Sequence, residues 1–229
     1  MNSQLRHSAA HVFVDDLSHP HLSDEDRHHI LRVLRVESHQ TVSVSDGQGS
    51  WSMATLQSDG ELELIGERTT TLAPTRLLTV AFAPTKGDKP DDVVRKLTEI
   101  GIDRIVPIAD TKRGVVRWDM SKATKHVERL RRIAREAAMQ SRRLWLPEIT
   151  LPCALVEVLS RYSAVLADPD GALIGPTHSC IAIGSEGGFS PEELELGSQH
   201  VSLGQGVLRG ETAAIVAGAL MAAQRREIP

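Results

Sequence analysis

The chain has 229 residues, enough for one large or two small domains with a substantial core. Its 41% hydrophobic and 24% charged composition, with a formal net charge of −4, is that of a soluble globular protein and excludes a fibrous or disordered one. Two cysteines, Cys153 and Cys180, form no C-x-x-C pair and suggest no disulfide framework, so a reducing, cytoplasmic setting is expected.

From the N-terminus, residues 1–10 lack a basic start followed by an apolar run, and no signal peptide is expected. Seven of the ten histidines fall in the first 39 residues, among them His19, His21, His28 and His29. No cysteine joins them and no ligand spacing emerges, so they read as solvated side chains and no metal site is expected. Residues 23–36 read as one capped helix, opened by Ser23-Asp24-Glu25-Asp26 and followed by Ile30, Leu31, Val33 and Leu34. Residues 41–45, 51–56 and 61–65 then alternate, with turns at Asp46-Gly47-Gln48-Gly49 and Ser58-Asp59-Gly60. They predict a small antiparallel meander folded into a compact barrel. Residues 67–76, ERTTTLAPTR, are polar and contain Pro74, as a linker would.

Beyond the linker the texture changes. Residues 77–83 form a continuous apolar strand, 88–100 a helix stopped by Gly101, 104–108 a strand, and a long helix runs from about 121 to 141. Residues 164–166 and 181–183 are further buried strands. Strands alternating with helices predict an α/β domain built on a mainly parallel sheet with helices on both faces. The longest near-apolar run, 213–223, is too short to span a bilayer.

Charge is concentrated in one segment. Between Lys112 and Arg143 lie eleven basic residues and three acidic ones, Asp119, Glu128 and Glu136. On the helix there, Val127, Leu130, Ala134 and Ala137 repeat at core-facing spacing, while Lys125, Arg129 and Arg132 fall on the opposite face. A solvated face is the plain reading of such a run. One dominant sign in an otherwise acidic chain instead fits the footprint of a polyanion. With few aromatics beside it, stacking of many single-stranded bases is not indicated.

Two apolar runs, 181–183 and 201–203, each end at a glycine, Gly184 and Gly204, and each loop leads into a helix. Ser190, Pro191 and Glu193 carry the pattern of a capping box with proline at the first helical position. In an open α/β sheet such loops lie at the carboxyl ends of the strands, where ligands bind. The glycine spacings, G-x-x-G-G and G-x-G-x-x-x-G, match neither the dinucleotide fingerprint nor a P-loop.

Taken in order, HHILRVLRVESHQTVSVSDGQGSWSMATL, KGDKPDDVVRKLTEIGIDRIVPI, EAAMQSRRLWLPEI, IGSEGGFSPEE and LGQGVLRGETA resemble the RsmE family of ribosomal RNA uridine N3-methyltransferases, of the SPOUT class. The resemblance spans nearly the whole chain. Ser185 stands where the family usually has proline, Gly206 and Gly210 where arginine and threonine are common, and Gly114 where a small polar residue is usual. The resemblance implies a PUA-like β-barrel that binds RNA over residues 1–72 and a trefoil-knotted, mainly parallel SPOUT domain over residues 73–229. It implies a homodimer, S-adenosyl-L-methionine (SAM) as methyl donor, and one uridine (U1498) of 16S ribosomal RNA in the assembled small subunit as substrate, with no DNA and no membrane partner. On family positions, the cofactor residues are Leu166, Ile183, Gly184, Glu186, Gly187, Gly188, Leu203, Gly204, Val207, Leu208 and Thr212. Arg113, Arg143 and Arg209 are candidates to stabilise a uridine anion and Glu211 to assist proton removal. Arg32, Arg35, Lys125, Arg129, Arg132 and Arg142 are candidates to hold RNA. A non-catalytic RNA-binding protein of the same fold, another SPOUT enzyme with a different target nucleotide, and a nucleotide-dependent enzyme of ordinary doubly wound fold remain as alternatives.

Overall fold

The computed structural model describes residues 2–225 apart from Arg117 and Asp119, with Met120 described by its backbone alone. Two compact units divide the chain: Met1–Pro74 with Arg135–Leu146, and Thr75–Ala134 with Pro147–Pro229.

The first unit opens with α1 (Ser3–His7), capped by the Asn2 side chain, and β1 (His11–Phe13). Helix α2 (Asp24–His28) is capped by Ser23, whose hydroxyl accepts the Asp26 N–H. The segment 23–36, expected as a single helix, is not one. The α-helix ends at His28, His29–Val33 form a wider π turn, and Arg35 sits at φ 53°. The wider turn lets Ile30 and Val36 both reach the core, while Leu31, Val33 and Leu34 stay exposed. A regular α stripe would have carried the four apolar residues to one face.

Strands β2 (Thr41–Ser45), β3 (Ser50–Leu56), β4 (Leu62–Leu64) and β5 (Thr69–Thr70) follow. The sheet runs β1-β2-β3-β4, with β5 paired to β3. The β2–β3–β4 pairings are antiparallel as read, but β1 lies parallel to β2, so the sheet is mixed. The α2 segment supplies the crossover that a parallel pair requires. Strand β5 lies within the stretch read as linker. His11, expected among the solvated histidines, is instead buried. It is 3% exposed, with Nδ1 2.8 Å from Ser43 Oγ and Nε2 3.0 Å from the Arg143 carbonyl. The core of this unit gathers Val12, Ile30, Val42, Val44 and Leu56 with Ala138 and Met139.

The second unit contains β6 (Thr79–Phe82), α3 (Lys89–Ile100), β7 (Arg104–Pro107), most of α4 (Met120–Gln140), β8 (Glu148–Ile149) and α5 (Leu155–Tyr162). It continues through β9 (Val165–Leu173), β10 (Cys180–Ile183), α6 (Pro191–Leu194), β11 (His200–Ser202) and α7 (Gly210–Arg225). The six strands run in the order β11-β9-β10-β6-β7-β8, and every pairing is parallel. Gly101 ends α3 at φ 106°, as its position predicted. Strand β8 and helix α5 were not anticipated, and β9 runs well past Leu166. Its second half, Asp168-Pro169-Asp170-Gly171, reads as a turn. It is held as strand by β11, because Gly171 lies where a Cβ would sit 2.6 Å from the His200 carbonyl carbon.

Ala213, Ala214, Ala217, Gly218 and Met221 of α7 are buried within this unit. A Cβ on Gly218 would fall 2.5 Å from Leu97 Cδ2, so the small-residue stripe seats α7 on α3 of its own chain. Among the described residues, no helix is long and apolar enough to cross a membrane.

Candidate functional site

Strand β10 ends at Ile183 and the chain turns through Gly184-Ser185-Glu186-Gly187-Gly188. The Gly188 N–H donates to the Ser185 carbonyl at 2.8 Å, and Gly188 sits at φ 68°. Space demands glycine at 184, where a Cβ would lie 2.8 Å from the Gly188 carbonyl carbon. Ser185 is buried and makes a bridge with Gly188.

The capping box read in the sequence is present. The Ser190 hydroxyl accepts the Glu193 N–H at 3.3 Å, and Glu193 Oε2 accepts the Ser190 N–H at 2.7 Å. Glu193 does more than cap. Its Oε1 accepts the Lys112 N–H at 2.7 Å, so one buried carboxylate ties the loop after β7 to the loop after β10. The neighbouring Arg113 then donates from Nη1 to the Gly187 carbonyl at 2.9 Å.

After β11, the Ser202 hydroxyl accepts the Gly204 N–H at 3.3 Å and donates to the Gly204 carbonyl at 2.8 Å. Gly204 has φ 148°, a backbone that side chains rarely adopt, and the space where its Cβ would point is open. The two loops enclose a cleft of about 390 Å³. Ile183, Gly184, Glu186, Gly187 and Gly188 line it from one side and Leu203, Gly204, Val207 and Leu208 from the other, with Arg113 at its wall. These are predicted site residues drawn together from segments far apart in sequence. Leu166 and Thr212 do not line the cleft: Leu166 is fully buried in β9, and Thr212 is exposed on the first turn of α7.

A third wall, Ala167-Asp168-Pro169, escaped the sequence reading. Asp168 and Pro169 belong to the half of β9 that looks like a turn. Their signal was the apolar run 164–166, a third strand aimed at the same edge. Phe189 and Leu194 also line the cleft. Apolar side chains, open backbone amides and carbonyls, and a volume in the range of small-molecule sites together suit a ligand with a flat apolar part and a polar edge. Among the described residues, no group of three His, Cys, Asp or Glu side chains could hold a metal ion.

Arg209 is exposed, off the lining, with its carbonyl accepting the Ala213 N–H at 2.8 Å. Glu211 opens α7, with Oε1 3.0 Å from Lys89 Nζ. Its carboxyl is held below the usual range, first by the backbone N–H at the helix start and then, against burial, by Lys89 and Arg209. Its Oε2 is buried with no hydrogen-bond partner.

Arg143 belongs to the first unit, as do Arg32, Arg35 and Arg142. Arg32 and Arg35 are exposed around the π turn. Arg142 donates from both terminal nitrogens to Ser8, to Oγ and to the carbonyl, each at 2.8 Å. On α4, Val127, Leu130 and Ala134 are buried as read. Of the opposite face, Arg129 pairs with Asp91, while Lys125 and Arg132 are exposed and make no ion pair among the described residues. Two charges of the basic segment, Arg117 and Asp119, lie outside the described residues.

Residues 73–222 match the family model of the RNA methyltransferase domain. The chain is 29% identical over 220 residues to the ribosomal RNA small subunit methyltransferase E of Synechocystis, covering 86% of this chain and 70% of that protein. It is 28% identical to the same enzyme of Rickettsia conorii, over 85% of each chain. Among solved structures, a Legionella pneumophila protein in complex with bound SAM superposes with a TM-score of 0.80 at 26% identity, over 93% of this chain and 96% of that one. The ribosomal RNA small subunit methyltransferase E of Neisseria gonorrhoeae, bound to S-adenosyl methionine, shares the fold with a TM-score of 0.78 at 24% identity, over 93% and 97%.

Proposed function

The chain belongs to the RNA methyltransferase family, within its ribosomal RNA small subunit methyltransferase E branch, and from that premise we propose that it binds SAM in the glycine-walled cleft and methylates N3 of U1498 in 16S ribosomal RNA. The observation that carries the reading is the cleft itself: two glycine loops at the ends of parallel strands, with an arginine fixed to one of them. SAM supplies an activated methyl group on a sulfonium. The chain's own part is to hold both reactants in line and to manage charge.

A uridine N3 carries a proton at neutral pH and must lose it to become a nucleophile. Negative charge then spreads onto O2 and O4, and a preorganised cation there lowers the barrier. Arg113 is the candidate at the cleft. One donor is committed to the Gly187 carbonyl, and a guanidinium has five N–H groups, so the fork retains donors for an oxyanion. Arg143 and Arg209 are the further candidates, and Glu211 is the candidate carboxylate. Its lowered pKa makes it a weak proton acceptor, so in our reading the proton leaves to water while Glu211 orders Lys89 and the start of α7.

The remaining assignments follow the same premise. Residues 1–72 and the basic face of α4 hold RNA through Arg32, Arg35, Lys125, Arg129, Arg132 and Arg142, and residues 73–229, apart from the segment Arg135–Leu146 that belongs to the first unit, form the knotted methyltransferase domain. The active form is a homodimer working in the cytoplasm, where its ribosomal substrate lies; a monomer by light scattering at micromolar concentration contradicts the dimer. Calorimetry tests the cleft. Wild type binds SAM and not NAD, and Gly187→Val, at a cleft-lining position outside the left-handed region where a Cβ would lie 3.3 Å from the Arg113 Cβ, loses SAM while keeping its unfolding transition. Equal SAM affinity in the variant removes the cleft from the account.

A further inference from the structure

A second cavity, of about 330 Å³, opens in the same unit where α3 begins beside α4. Trp118 and His126 stack in its wall, with ring centroids 4.7 Å apart and planes within 11° of parallel. Asp91 and Arg129, paired with each other, supply a hydrogen-bonding edge. Lys86 is exposed on the wall and makes no ion pair among the described residues. The cavity adjoins the cofactor cleft through buried Thr85. Thr85 lines the second cavity, and its Cγ2 lies 3.8 Å from where a Cβ on Gly210 would sit, while Gly210 lines the first.

We propose that this cavity is a subsite for one unpaired nucleotide of the substrate RNA, next in the strand to the base that is methylated. The inference rests on the proposed function and deepens it. A flat aromatic wall accepts the face of any base. The Asp91–Arg129 edge offers both an acceptor and donors, as a base edge requires. Lys86 supplies the cation that a flanking phosphate needs. The mouth of the cofactor cleft takes the target base, and Thr85 is the partition between the two. A double helix cannot place a base there without unpairing it, so the subsite selects single-stranded RNA around the target.

The test uses the intact protein with SAM and two probes, single-stranded hexauridylate and a hairpin duplex of equal length. Trp118→Ala should weaken hexauridylate binding on the order of ten- to a hundred-fold, as expected for loss of one base stack, and Trp118→Phe should restore most of it. Duplex binding and SAM affinity should stay at the wild-type level. With assembled small subunits, Trp118→Ala should raise the KM for RNA by a similar factor. Photocrosslinking of a 4-thiouridine oligonucleotide to wild-type protein, followed by peptide mapping, should label the segment holding Trp118 and His126, and it needs no variant to fold. Wild-type hexauridylate affinity in Trp118→Ala, or crosslinks confined to other segments, overturns the subsite. Failure of the underlying reading looks different: wild-type protein that binds RNA at this cavity yet transfers no methyl group.

Discussion

His11 shows how one residue sets a pH limit. Burial pushes its imidazole down to about 4; the Arg143 carbonyl opposes this and the Arg142 charge adds to the fall. In the unfolded chain the group titrates near 6.5. A depressed folded pKa favours the neutral ring, so the stabilisation is complete above pH 6.5 and is lost as pH falls toward 4. A shift of that size corresponds to about 3 kcal/mol. Urea unfolding of wild type between pH 7 and pH 4 should therefore show a steeper loss than that of His11→Gln. Parallel curves for the two proteins contradict the assignment. The sequence placed His11 in a histidine-rich stretch and could not single it out, because its partners Ser43 and Arg143 are distant in the chain.

At the scale of elements, the decisive link is Glu193. Its pattern as a capping residue was plain in Ser190-Pro191-Glu192-Glu193, since a cap needs only local neighbours. Its second bond, to Lys112, joins two loops 81 residues apart and leaves no local signature. Glu193→Gln can keep an acceptor for only one of the two backbone N–H groups. It should cost about 1–3 kcal/mol of stability and reduce kcat more than SAM affinity, because the Arg113 loop loosens. Ser190→Ala removes the cap and the hydroxyl's bond to Glu192 but leaves the Lys112 bond, costs about 1 kcal/mol, and should leave kcat near wild type. Equal kcat losses in both variants would remove the special role of the Lys112 bond.

The α4 face gives a second test at this scale. Lys125 and Arg132 are exposed and without ion pairs among the described residues, whereas Arg129 is engaged by Asp91. Replacing Lys125 and Arg132 by alanine should lower the slope of log affinity against log salt by roughly 1.4 to 1.8 without changing SAM affinity. Adding Arg129→Ala should change the slope less than either of the others. An unaltered slope in the double variant assigns these residues to a solvated face.

For the whole molecule, the parallel sheet was legible because its strands are buried on both faces and read as apolar runs. The two glycine loops were legible because each ends such a run. Besides β8 and α5, three features were not. The π turn after α2 keeps the apolar pattern of an α-helix and changes only its width. The second half of β9 contains Pro169 and Gly171, which local rules assign to a turn, and tertiary pairing with β11 overrides them. Strand β1 has three residues, too few to show a period, and its parallel pairing depends on where α2 returns the chain. The small residues of α7 are buried within the unit, with Gly218 seated against Leu97 of α3.

In the proposed reaction this cleft delivers a methyl group to N3 of a uridine whose anion Arg113 stabilises. Single-turnover methylation of assembled small subunits, read by nucleoside mass spectrometry, tests it most directly. Wild type should yield N3-methyluridine, faster as pH rises and more uridine ionises. Arg113→Lys should slow the step on the order of 100- to 1000-fold, the loss expected for one preorganised transition-state donor. A methyl group on a ribose 2′-hydroxyl or on another base, or an Arg113→Lys rate equal to wild type, would contradict the account.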